Sequence, residues 1–111
     1  MSKSPITTKQ RSSMTLVHPG RILKDEISAR SMSANKLAIA LRLPSNRLTD
    51  IINGKRGISP ETALRLARYF GNSAQFWLNL QTAYELALAK QNVGARIVDE
   101  VKPCQDRLMA T

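Results

Sequence analysis

The chain has 111 residues, enough for one compact domain and too few for a two-domain enzyme, since domains typically run to about 100–150 residues. With 42% hydrophobic and 23% charged residues its composition is ordinary for a globular protein, which excludes wholesale disorder. Seventeen Lys and Arg against eight Asp and Glu leave a net charge of +9, which points to a polyanionic partner, nucleic acid or an acidic membrane surface.

That charge is unevenly placed. Residues 1–71 carry 13 basic and 4 acidic side chains, whereas residues 72–111 carry 4 of each. The single cysteine, Cys104, permits no internal disulfide, and with one histidine, His18, nothing resembles a metal-ligand cluster; the usage fits a reducing cytoplasm. No apolar run approaches the roughly 18 residues of a membrane span, and the N-terminus lacks the apolar stretch of a secretion signal. The expectation is a soluble, cytoplasmic protein without metal or cofactor.

Residues 1–13 hold six Ser or Thr, Lys3, Lys9, Arg11 and Pro5, with Ile6 the only branched apolar residue, and read as a flexible basic arm. Pro19 and Gly20 then open a first helix over 19–30, in which Ile22, Leu23 and Ile27 recur at helical spacing. Ser33 is the N-cap of a second, short helix over 33–41, with Leu37, Ala38, Ala40 and Leu41 as its apolar positions. A third helix over 45–52 sets Leu48, Ile51 and Ile52 on one face, shows Ser45, Asn46, Arg47, Thr49 and Asp50 on the other, and closes at Asn53-Gly54.

After the basic loop Lys55-Arg56-Gly57, Ser59-Pro60-Glu61 combines an N-cap, a first-turn proline and an acid favoured by the helix dipole. That fourth helix has the stripe Ala63, Leu64, Ala67 and Phe70 and stops at Gly71. A fifth runs from Ser73 to about 91, its stripe formed by Trp77, Leu80, Tyr84 and Leu88 and widened by Phe76, Ala83 and Ala87. Residues 92–111, which contain Pro103, read as a tail of mixed polarity. No strand alternation is present, so the fold class is all-α with five helices: an arm at 1–13, a domain at 14–91 and a tail at 92–111.

Two short helices joined by about three residues, the second offering polar side chains from its first turn, have the sequence form of a helix-turn-helix. In that arrangement the first helix braces on phosphate while the second lies in the major groove with its N-terminal residues toward base edges. Ser45, Asn46, Arg47 and Thr49 are the candidate base readers. Asn can pair bidentately with adenine, Arg with guanine, and Ser or Thr with several edges. Lys55 and Arg56, with Arg42, Ser33 and Lys36, are the candidate backbone contacts, which supply affinity and register rather than sequence choice. Arg21, Arg65 and Arg68 are weaker candidates and are expected to face water. Catalysis is not expected: His18, at a helix start without an acidic partner, reads as a capping or packing residue, whereas general acid–base chemistry needs a positioned titratable pair.

His18-Pro19-Gly20-Arg21-Ile22-Leu23, Leu43-Pro44-Ser45-Asn46-Arg47-Leu48, the stretch from Ile52-Asn53-Gly54-Lys55 to Arg65-Leu66-Ala67, and Phe76-Trp77-Leu78-Asn79-Leu80-Gln81 together resemble the HigA antitoxins, also called virulence-associated protein I, of the XRE-type helix-turn-helix class. The resemblance spans about residues 14–90. It implies a lambda-repressor-like fold and a bacterial homodimer on a palindromic operator, repressing its own operon and neutralising a HigB-type messenger-RNA endonuclease. Two positions depart from the pattern. Arg42 stands in the turn where glycine is usual, so that either the turn differs or Arg42 takes a strained backbone; Ala34 stands where many relatives have a Gln that braces on phosphate.

The neutral C-terminal part suits a second subunit, with Trp77, Leu80, Tyr84 and Leu88 as candidate dimer contacts, Trp77 being also a candidate for the chain's own core. Two-fold pairing would set two recognition helices about one DNA turn apart. The alternatives are a stand-alone transcriptional regulator of the same class, or a toxin-binding module with weak DNA binding, which the departures at Arg42 and Ala34 keep open.

Overall fold

The computed structural model describes residues 16–105, so the proposed arm at 1–13 and the last residues of the tail lie outside the described residues. Among the described residues five α-helices follow one another: α1 Pro19–Ala29, α2 Ala34–Leu41, α3 Ser45–Ile52, α4 Pro60–Phe70 and α5 Ala74–Glu100. The described residues contain no strand.

The helix starts follow from side-chain chemistry. Ser33, Ser59 and Ser73 each accept the N–H of the third residue beyond them, and His18 accepts the N–H of Gly20 through Nδ1 at 2.9 Å. The ends of α1 to α4 follow from left-handed residues, Ser31, Arg42, Gly54 and Gly71. In α3, Lys55 N–H bonds Asp50 C=O at 2.8 Å and Gly54 N–H bonds Ile51 C=O at 3.1 Å, with Gly54 at φ 77°. The end of α2 repeats that pattern with a non-glycine residue. Leu43 N–H bonds Ala38 C=O at 2.9 Å, Arg42 N–H bonds Ile39 C=O at 3.1 Å, and Arg42 sits at φ 61°. The turn is therefore the ordinary left-handed one, and Arg42 carries its strain.

One core joins the elements. Leu23 and Ile27 of α1, Leu37, Ala38 and Leu41 of α2, Leu48 and Ile51 of α3, Ala63 and Leu66 of α4 and Trp77 of α5 are buried together, with Leu43 and Ile58 from the loops. Burying each large aliphatic side chain stabilises the fold by about 1.5–3 kcal/mol. The stripe of α4 differs from the expected one: Leu66 takes the inward place and Leu64 is 63% exposed.

The larger differences concern α5, which runs to Glu100 instead of ending near 91. Trp77, Leu80, Gln81, Tyr84 and Leu88 turn toward the body of the domain and are buried or half-buried. Phe76 sits at the edge of that face, packed on Trp77 yet 43% exposed, and Leu86, Ile97, Val98 and, just past the helix, Val101 are exposed. Trp77, expected as a dimer contact, is 1% exposed and its Nε1–H donates to Asn72 at 2.9 Å, so the chain's own core consumes it. Phe70 and Phe76 pack on its ring with centroids 5.9 and 5.1 Å away.

Candidate nucleic-acid interface

The recognition helix α3 is held from three sides. Leu48 and Ile51 anchor it in the core. At its N-terminal turn Ser45 Oγ–H donates to Asn35 Oδ1 at 2.7 Å, tying it to the start of α2. At its C-terminal end Gly20 lies against the last carbonyls, where a Cβ would come 1.9 Å from Ile51 O and 3.0 Å from Ile52 O. The electropositive N-terminus of α1 thus meets the electronegative C-terminus of α3.

Eight residues of helix are about 12 Å long, comparable with the roughly 12 Å width of the DNA major groove. Ser45, Asn46 and Thr49 are exposed on one face of α3, away from Leu48 and Ile51. Thr49 Oγ1–H bonds Ser45 C=O at 2.9 Å. Arg47 does not share that face fully. It is half-buried on the flank toward α4, close enough to Glu61 to contribute to lowering its carboxyl pKa. The main cause of that lowering is the Arg65 guanidinium, which hydrogen-bonds Glu61 at 2.8 and 3.2 Å.

Arg65, expected to face water, instead braces the turn. Its third nitrogen donates to Leu41 C=O at 3.0 Å, satisfying a carbonyl at the end of α2 beside the strained Arg42. Arg42, Lys36, Lys55 and Arg56 are exposed. Ser33 holds its place through the cap to Lys36 N–H at 3.1 Å. Because Asn35 is bonded to Ser45, Ser33 and Lys36 lie beside the N-terminal turn of α3, whereas Lys55 and Arg56 follow its C-terminal end. Cationic or polar groups therefore flank both ends of the reading face. Ala34 is half-buried against the core, so it offers no brace.

α3 is also distinguished by its start: its N-cap residue, Pro44, makes no side-chain capping bond, whereas the other four helices are each capped by a side chain. The first N–H groups of α3 thus lack a side-chain cap, an arrangement suited to a phosphate oxygen. Asn35, Arg65, Gly20 and Gln81 were not singled out for these roles from the sequence. The Gly20 position was legible within the His18-Pro19-Gly20 motif, but the others act across space on partners 10 to 24 residues away. Among the described residues no group of three His, Cys, Asp or Glu converges as a metal site, and no helix is long and apolar enough to cross a membrane.

An exposed polar helix presented across a tight turn from a brace helix of equal length defines the chain as a helix-turn-helix protein, and the Helix-turn-helix family model matches residues 23–77. Virulence-associated protein I of Dichelobacter nodosus is 47% identical over 83 residues, 74% of this chain and 77% of that protein. Two solved structures are similar over nearly their whole length. The addiction module antidote protein of the HigA family from Coxiella burnetii has 49% identity and a TM-score of 0.78, with 80% of this chain and 98% of that one covered. Antitoxin HigA of Pseudomonas aeruginosa, solved with the higBA promoter, has 45% identity and a TM-score of 0.78, with 79% and 97% covered. The chain belongs to the HigA and virulence-associated protein I family of XRE-type helix-turn-helix proteins.

Proposed function

We propose that this protein is a sequence-specific DNA-binding antitoxin that represses its own operon. The observation that carries this reading is the outward polar face of Ser45, Asn46 and Thr49, flanked at both ends by Lys36, Lys55 and Arg56, in a chain 45% identical to an antitoxin solved with its promoter. Base edges are read by that face, with Arg47 joining it by swinging from its flank beside Glu61. Phosphates are held by Ser33, Lys36, Arg42, Lys55 and Arg56 and by the open start of α3.

The operator-bound form is a homodimer on a palindrome. Its contact is made by Leu86, Ile97, Val98 and Val101, the apolar side chains exposed along the later part of α5 and just after it, and not by Trp77, Leu80, Tyr84 and Leu88, which are buried or half-buried against the chain's own body. A second copy suits this surface because residues 72–111 carry as many acidic as basic side chains, so two +9 chains do not repel one another there. The protein partner is a HigB-type toxin, consistent with the antitoxin relatives.

The test is a gel-shift titration against the DNA upstream of the coding sequence, at several salt concentrations. Specific retardation, weakening linearly in log salt as counterions are released, supports the reading. Equal affinity for that DNA and for random duplex overturns the sequence-specific repressor. Co-expression with the product of the adjacent open reading frame tests neutralisation, which fails if growth arrest by that product is not relieved.

A further inference from the structure

Lys55 and Arg56 leave α3 on a loop whose far end is held by one buried polar side chain. Gln81, on the inward face of α5, is 8% exposed. Its Oε1 accepts the N–H of Ile58 at 2.8 Å, and its Nε2 donates to Glu85 Oε2 at 2.9 Å. An ionised carboxylate only accepts hydrogen bonds, so Glu85 engages the NH2 end of the amide and leaves the carbonyl end facing the Ile58 N–H. Gly57 closes the same contact: a Cβ there would lie 2.7 Å from Gln81 Nε2. Among the described residues, this bond from Ile58 is the only hydrogen bond that ties residues 56–58 to the rest of the chain.

We propose that Gln81 is a positioning residue for DNA binding: oriented by Glu85, it fixes the path of the Lys55-Arg56 loop against the phosphate backbone. The inference rests on the DNA-binding reading above. Long exposed side chains such as Lys55 and Arg56 do not hold themselves in place, and their direction is set by the backbone that carries them. The start of that backbone is fixed by the left-handed Gly54 and its bonds into α3, and its end by Gln81. Through this clamp α5, which faces the second subunit, also sets the geometry at the C-terminal end of the recognition helix.

Gln81→Met keeps the side-chain length and removes both hydrogen bonds. Its affinity for a duplex of the upstream DNA is expected to fall on the order of tenfold. The plot of log affinity against log salt should become shallower by about 0.9 for each phosphate that the variant no longer neutralises. Lys55→Ala, which weakens the wild type, should have no further effect in the Gln81→Met background, and amide hydrogen exchange at Ile58 should accelerate. Gln81→Glu alone sets two carboxylates together and should behave like Gln81→Met. Gln81→Glu combined with Glu85→Gln reverses donor and acceptor between the two positions while an oxygen still faces Ile58, and should restore both affinity and salt slope.

A merely structural role would show neither that rescue nor the silencing of Lys55→Ala. An unchanged salt slope in Gln81→Met, with Lys55→Ala as damaging as before, overturns the role of Gln81 while leaving the DNA reading intact. Should Gln81→Met fail to fold, Gln81→Glu against the double swap decides the matter, and equal slopes overturn the proposal. Absence of any shift by the wild-type protein defeats the DNA reading and this role with it.

Discussion

Gly20 and Ile51 are in backbone contact: the space a Cβ of Gly20 would need is already occupied by the Ile51 carbonyl oxygen, 1.9 Å from it. The contact locks the C-terminal end of the recognition helix onto the first turn of α1. Neither group is the far end of a flexible side chain, so neither can give way. Gly20→Ala is expected to cost at least about 3 kcal/mol, the upper range for overpacking, and to move α3. Thermal unfolding and operator affinity measured together check this. A variant with wild-type Tm would show that α1 and α3 are not in this register.

Arg42 occupies a left-handed backbone at φ 61°, ψ 42°. For a residue with a Cβ that conformation costs about 1–2 kcal/mol, while glycine there loses some of the gain through a freer unfolded chain. Arg42→Gly is therefore expected to stabilise the fold by about 0.5–1 kcal/mol. If the Arg42 guanidinium holds a phosphate, the same variant lowers the salt slope of DNA binding by about 0.9. Denaturant unfolding and a salt titration read the two effects separately.

His18 caps α1 through its unprotonated Nδ1 and sets its ring edge-on to Tyr84, with centroids 4.9 Å apart. Burial lowers its pKa below the ordinary 6.5, because the charged imidazolium is disfavoured there. The neutral form is the one the fold prefers. Its contribution to stability is complete above about pH 6.5 and is lost as pH falls from that value through the lower folded pKa. Tm should accordingly drop on acidification across this window. His18→Asn keeps a capping acceptor that does not titrate and should lose that part of the pH dependence.

Arg47 and Lys55 are both cationic and differ in position, the first half-buried on the flank of α3 and the second exposed beyond its end. Arg47→Ala should relax base preference at one operator position, at a cost of about 1–3 kcal/mol on the cognate sequence. Lys55→Ala should weaken all sequences alike. Equal loss of specific and non-specific affinity in both variants would reverse the assignment.

Val98 is 76% exposed near the end of α5, beyond the part of the helix that packs on the body. Val98→Glu should leave the fold intact and convert the proposed dimer to a monomer, seen as a halved mass in sedimentation equilibrium. Leu88→Glu, on the inward face, should instead lower Tm. A dimer that survives Val98→Glu and dissociates with Leu88→Glu would return the interface to the inward face.

Much of the local structure is written in short-range chemistry. Ser33, Ser59 and Ser73 announce their helices because a side-chain oxygen three residues ahead of an N–H can cap it, and Gly54 and Gly71 end theirs because left-handed backbone suits a residue without a Cβ. The bounds of α3 could be read to the residue, its start from Pro44 and its end from Asn53-Gly54. The end of α5 could not. Past Leu88 the polar run Lys90-Gln91-Asn92 and then Gly94 interrupt the apolar stripe, so the pattern looks irregular although the helix continues to Glu100.

By itself, then, the sequence determined the order of helices, the helix-turn-helix and the +9 charge gathered around it, since capping, turn geometry and net charge depend on residues near one another in the chain. Tertiary structure alone decided which polar groups are free to reach DNA. Arg65 is spent on Glu61 and the Leu41 carbonyl, Arg47 is drawn toward Glu61, Ser45 is tied to Asn35, and Gln81 reaches back to Ile58. Except for Arg65 with Glu61, these relations join separate elements, and only packing of the core brings the partners to bonding distance.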